Sequence, residues 1–89
     1  MDKEKIKGVH LGSTLRKYLY DFRKKNRYTI SQVSEMIDIC NTYYERIEKG
    51  TKGQRLSLKT AYKLATLLQI SLNELYHLEE QYQRKISHD

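Results

Sequence analysis

The sequence contains no proline, only four glycines and a single cysteine. With so little to interrupt it, the chain suits helices joined by short turns, and no glycine-rich loop is present to cradle a phosphate. Cys40 has no second cysteine to pair with, which fits a reducing cytoplasm. The three histidines, His10, His77 and His88, show no ligand spacing with it, so neither a metal site nor any other cofactor is expected. No apolar run approaches the roughly 18 residues of a membrane-spanning helix. The first twelve residues lack the apolar core of a signal peptide. Internal repeats and low-complexity segments are absent. So are a nucleophile elbow and a plausible pair of catalytic acids, so an enzyme is not expected.

What is present describes one small domain. Its 89 residues are 38% hydrophobic and 31% charged, enough for a single core under a well-solvated surface. The formal net charge is +6. Residues 11–78 carry the whole excess, twelve basic against six acidic, while the flanking segments nearly balance. A basic body with near-neutral tails points to a polyanionic partner, beside the plainer reading that the charge only keeps the protein in solution.

Residues 1–12 place Ile6, Val9 and Leu11 among charges without a helical period, and read as a flexible arm. Ser13 can cap a first helix whose stripe is Leu15, Leu19 and Phe22, with Tyr18 flanking it. Arg16, Lys17, Asp21, Lys24 and Lys25 form the opposite, solvated face. Arg23 falls on the edge of the apolar stripe and needs a partner. The basic run ending at Arg27 suits the negative end of the helix dipole and is equally placed to touch phosphate.

The stretch from Thr29 to Gly50 organises the rest. Thr29 and Gln32 make a capping box, Tyr28 and Val33 a staple, and Val33, Met36 and Ile37 an inner face for a short second helix. A third helix runs from about Asn41 to Lys49, with Gly50 as its left-handed end. At 100° per residue, Tyr44, Ile47 and Glu48 share one side. Asn41, Thr42, Glu45, Arg46 and Lys49 share the other, with Tyr43 at the boundary. A carboxylate on an inner face is costly unless paired. Cys40, in the turn, reads as a small buried residue, or as a redox-sensitive thiol beside a helix start. After the basic loop 50–56, Ser57 caps a fourth helix with the stripe Leu58, Ala61, Leu64, Ala65 and Leu68. Ser71 and Glu74 cap a fifth, and Leu75, Leu78, Tyr82 and Ile86 would continue its stripe into the tail.

From about Leu11 to Leu78 the sequence resembles the lambda-repressor-like, or XRE, helix-turn-helix family. The resemblance rests on small Ser34, the turn at Asp38, apolar Val33, Ile37, Ile39, Tyr44 and Ile47, the ending Ile47-Glu48-Lys49-Gly50, and Leu64-Ala65 with Ile70-Ser71-Leu72 later. It implies an all-α, five-helix domain over residues 13–78, helices two and three forming the helix-turn-helix. Residues 79–89 would be a tail or an extension of helix five. It also implies an ion pair between Arg23 and Glu48, which would resolve both stranded charges.

Three positions depart from the family pattern. Asp38 stands where glycine is common, at a left-handed turn that Asp tolerates. Ser34 replaces alanine. Ile30 replaces a glutamine that holds phosphate.

The implied function is a transcriptional regulator, a repressor, that binds double-stranded DNA as a homodimer in the cytoplasm. Helix three would enter the major groove. Asn41 is suited to adenine, Arg46 to guanine, Thr42 and Tyr43 to a thymine methyl, and Glu45 to cytosine. Lys49, Lys52, Arg55, Arg27 and Thr29 would meet the DNA backbone. Helix five and the stripe from Leu75 to Ile86 are the expected dimer surface. Two rivals stand beside this reading: an antitoxin or mobile-element regulator that also holds a protein partner, and a degenerate helix-turn-helix that binds only protein.

Overall fold

A computed structural model describes residues 14–51 and 55–87. The expectations for residues 1–12, for Ser13 as a cap and for Lys52 lie outside the described residues. Five helices follow in order among the described residues: α1 (Lys17–Lys25), α2 (Ile30–Met36), α3 (Asn41–Lys49), α4 (Leu58–Leu68) and α5 (Leu72–Ser87). No strand occurs among the described residues. The fold is all-α, as the periodicity required.

Local chemistry sets most of the boundaries. The Thr29 hydroxyl accepts from the Gln32 amide at 3.0 Å, and the Gln32 side chain returns the contact to the Thr29 amide at 2.8 Å. Ser57 caps α4, and Ser71 with Glu74 closes a second reciprocal box on α5. Helix ends follow one pattern. Arg27, Asp38, Gly50 and Gln69 all have φ between 57° and 75°, the left-handed conformation. After each, the next amide reaches back across the last turn: Tyr28 to Arg23, Ile39 to Ser34, Thr51 to Arg46 and Ile70 to Ala65, at 2.9–3.1 Å. This is the Schellman ending, which glycine adopts most readily. Here three of the four are built from non-glycine residues.

The core gathers Leu19, Val33, Ile37, Tyr44, Ile47, Leu64, Ala65, Leu67 and Leu75 from all five helices. α2 packs on α3, α1 on α3, and α4 on α5. Ser34, fully buried, lies where α2 and α3 meet.

Several expectations are corrected. Leu15 precedes the first helix, because α1 begins at Lys17 with Arg16 at its cap. Arg16, assigned to the solvated face, is fully buried. Since it sits before the first helical turn, helical spacing does not govern it. Met36 is 53% exposed, since α2 turns Val33, Ser34 and Ile37 inward instead. Leu58 is 77% exposed, and α4 buries Thr60, Leu64, Ala65 and Leu67, a face rotated from the expected one. Cys40 is exposed rather than buried. α5 continues to Ser87, but Leu75 and Tyr82 are spent inside the protomer, which leaves only Leu78 and Ile86 of the expected dimer stripe partly exposed.

Candidate nucleic-acid interface

Helix α3 has only nine residues and would not persist alone. Its inner face fixes it first. Tyr44 and Ile47 are fully buried, and Glu48 is nearly so. The Glu48 carboxylate accepts from Arg23 Nε at 2.9 Å and Nη2 at 2.8 Å, a two-pronged pair, and from the Tyr44 hydroxyl at 2.8 Å. Arg23 also donates Nη1 to the Tyr28 carbonyl at 3.2 Å. Hydrogen bonding to Glu48 raises the Arg23 pKa against the opposing effect of burial. Burial, then the charge of Glu48, pushes the Tyr44 phenol far above its ordinary range. The two charges are thus compensated at the centre of the α1–α3 contact.

The N-terminal end of α3 is tied to α2. The Ser34 hydroxyl lies against the Asn41 carboxamide oxygen and the carbonyls of Ile30 and Ser31. One hydroxyl proton cannot serve three acceptors at once. Turning the carboxamide over would let its nitrogen donate to Ser34 instead, and either orientation keeps Asn41 bound to α2. Asn41 is exposed, but part of its hydrogen-bonding capacity is used within the protein.

The C-terminal end is held by residues that sequence reasoning did not connect. Arg16 donates its backbone amide to the Glu48 carbonyl and Nη1 to the Ile47 carbonyl, each at 2.8 Å. The Thr14 hydroxyl donates to the Lys49 carbonyl at 3.0 Å. The Arg46 carbonyl takes the amides of Gly50 and Thr51. The last four carbonyls of α3, which no helix can satisfy internally, therefore all have partners.

Arg16 in turn grips Glu79 of α5 through Nε and Nη2 at 2.8 and 3.0 Å, and lies 4.4 Å from the centre of the Tyr82 ring. Tyr18 donates its hydroxyl to the same carboxylate, and Tyr82 donates its own to the Thr14 carbonyl at 2.7 Å. Burial works against the Arg16 charge, but hydrogen bonding and attraction from Glu79 outweigh it and raise its pKa. Burial and then Glu79 raise that of Tyr18. The available signal was the α5 stripe running on through Tyr82, which implied that α5 extended far enough to cover something.

With both ends fixed, α3 presents Asn41, Thr42, Tyr43, Arg46 and Lys49 as exposed residues and Glu45 half-exposed beside them. Lys49 donates to Glu45 at 2.8 Å, and this hydrogen bond, followed by the Lys49 charge, lowers the Glu45 pKa. Both side chains are open to water, so the pair is weak. Arg46 makes no hydrogen bond or ion pair with another described side chain, leaving its fork available. Arg27 and Arg55 are exposed on the segments flanking the helix-turn-helix. Thr29 is exposed too, but its hydroxyl and amide are engaged in the α2 cap.

A second surface lies between α4 and α5. A groove of about 680 Å³ runs between Leu56, Leu58, Leu72 and Tyr76, with Arg55 also at its lining and Glu79 and Glu80 on its acidic side. Leu58, Leu72 and Tyr76 are 77%, 43% and 61% exposed. Among the described residues there is no cluster suited to a metal ion. No helix among them is long and apolar enough to cross a membrane.

A helix-turn-helix family model matches residues 19–75 of the chain. No curated protein and no solved structure matches it.

Proposed function

The chain belongs to the helix-turn-helix family and is a DNA-binding regulator of the XRE type; on that premise we propose that it is a repressor occupying a two-fold operator as a homodimer. The observation that carries this reading is the division of α3. Tyr44, Ile47 and Glu48 are withdrawn into the core, while Thr42, Arg46 and Lys49 stand open on the other side. In the major groove, Arg46 would read guanine, with Thr42, Tyr43 and Glu45 contributing and Asn41 reading adenine with the capacity Ser34 leaves it. Lys49, Lys52, Arg55 and Arg27 would fix the register on phosphate, with Thr29 at the start of α2. Such a protein would work in the cytoplasm, where its DNA is.

A single α3 reads few base pairs, so useful specificity calls for two half-sites about 34 Å apart. With Leu75 and Tyr82 committed to the core, the dimer surface is better placed on Leu58, Leu72 and Tyr76 around the α4–α5 groove. A two-fold axis across it would bring the Arg55 end of one protomer toward the acidic side of the other. The same groove supports the second reading, in which a different protein occupies it, as in an antitoxin or a pure interaction module.

Selection of bound fragments from genomic DNA tests the proposal. A recovered motif with two-fold symmetry is the expected result. Weak, salt-sensitive binding without a motif would leave the interaction module ahead. Given a motif, Arg46→Ala should relax one operator position by about 1–3 kcal/mol, and Lys52→Ala should weaken every sequence alike, lowering the salt slope by about one. Arg46 is a cleaner probe than Asn41, whose loss would also disturb Ser34. Sedimentation showing a monomer both free and on DNA would overturn the dimer.

A further inference from the structure

The family match spans residues 19–75, yet much of what holds the C-terminal end of α3 lies outside it: Thr14 and Arg16 before, Glu79 and Tyr82 after. We infer that Arg16 and Glu79 are positioning residues for the recognition helix, holding α3 at the angle at which its exposed face meets bases in register. The inference rests on the DNA-binding reading above and adds to it the residues that make such reading selective.

The geometry is a chain of directional contacts. A guanidinium is a rigid planar fork. One part of the Arg16 fork takes the Ile47 carbonyl and another takes both oxygens of Glu79, so the orientation of one contact constrains the other. The Arg16 ring contact with Tyr82 limits how far the plane can tilt. Glu79 is itself aimed by the Tyr18 hydroxyl, and Leu75, one turn earlier on α5, is anchored in the core. The arrangement therefore runs from the body of the protein, through α5, to the last turn of α3. It is also tight: a side chain at Gly50 would meet the Thr14 carbonyl oxygen at 1.8 Å and the Tyr82 hydroxyl at 2.5 Å.

Positioning differs from simple stabilisation in what DNA binding reports. A residue that only stabilised the fold would, when lost, reduce the folded fraction and scale all binding alike. Loss of a positioning residue misplaces α3 against the bases, whereas phosphate contacts from long, mobile lysines and arginines survive the shift. The ratio of operator to unrelated-sequence affinity separates the two.

The test uses the full chain carrying Glu79→Gln, with Gln81→Ala as a control at an exposed position of α5 outside the groove and Tyr82→Phe as a milder second variant that keeps the ring and removes one hydrogen bond. Binding to the selected operator and to unrelated duplex is measured at one salt concentration. Amide exchange is followed by NMR at Gly50 and Thr51 and, for reference, across α4. For Glu79→Gln, the operator-to-unrelated ratio should fall about tenfold, comparable to one mismatched base pair, with the salt slope unchanged. Exchange at Gly50 and Thr51 should quicken by about tenfold while α4 is unaffected. Tyr82→Phe should shift both readouts in the same direction by less, and Gln81→Ala should match the wild type. An unchanged ratio, or exchange that quickens equally in α3 and α4, would overturn the inference. Absence of any operator for the wild type would instead sink the DNA reading and this inference with it.

Discussion

Gly50 offers the sharpest check on how α3 is terminated. Its φ of 75° lies in the left-handed region, and the space a Cβ would need is already filled by backbone. Two costs therefore add in Gly50→Ala. The left-handed conformation costs an L-residue about 1–2 kcal/mol. Moving the Thr14 carbonyl, 1.8 Å from the new Cβ, would strain or break the Thr14–Lys49 and Tyr82–Thr14 hydrogen bonds, each worth about 1 kcal/mol. The sum is about 3–4 kcal/mol, a large share of the roughly 5–15 kcal/mol that holds a domain folded. Urea denaturation followed by far-UV circular dichroism reads it as a lower midpoint at constant slope. Gly50→Asn separates the two terms, because asparagine tolerates the left-handed region but still brings a Cβ. It should recover no more than about 1 kcal/mol. If Gly50→Asn behaves like the wild type, or Gly50→Ala costs less than about 1.5 kcal/mol, close approach of the Thr14 segment is not what requires glycine there.

Other expectations follow from the same geometry. Glu48→Ala leaves Arg23 buried without its carboxylate and should cost about 3–5 kcal/mol in urea denaturation, whereas Arg23→Met with Glu48→Leu should recover most of that loss. Asp38→Gly relieves a left-handed residue at φ 57° and should stabilise the fold by about 0.5–1 kcal/mol, read from the same denaturation curves. At alkaline pH, burial and neighbouring carboxylates hold the Tyr18 and Tyr44 phenols protonated in the fold above their ordinary pKa, while the unfolded chain releases those protons near pH 10. The unfolded state then binds fewer protons, so stability is full below about pH 10 and falls above it by about 1.4 kcal/mol per pH unit for each group. Tyr18→Phe should flatten that decline in urea titrations between pH 9 and 11.5, and an unchanged slope would contradict the account.

What the sequence made legible is what depends on neighbours in sequence. The capping boxes at Thr29 and Ser71 are four-residue devices, and the left-handed ends at Asp38 and Gly50 follow from residue chemistry at a turn. Arg27 and Gln69 adopt the same conformation with no comparable signal, because any residue can be driven there when the next amide closes a Schellman bond. Periodicity located the stripes but not their edges. Met36 and Leu58 each lie just outside the buried arc, and a hydrophobic side chain there is compatible with either placement until the neighbouring helix is known. Spacing left Arg23 and Glu48 stranded at inner faces, and it was the family resemblance that matched them to each other.

Arg16 could not be placed in the same way, and the reason bears on how the domain works. It stands at the cap of α1 with ψ 86°, outside the helix, so a helical wheel assigns its side chain to the wrong side. Its partner Glu79 is 63 residues away, with no local pattern linking the two. Yet a nine-residue helix that keeps one face bare can be held only by its inner face and its two ends. The inner face must be read by segments already packed beside it, which leaves a periodic trace. The ends can be reached from anywhere in the chain, and here they are reached from Ser34 at one side and from Thr14, Arg16 and α5 at the other. The exposed face of α3 is therefore the part most visible in the sequence, and the contacts that aim it are among the least visible.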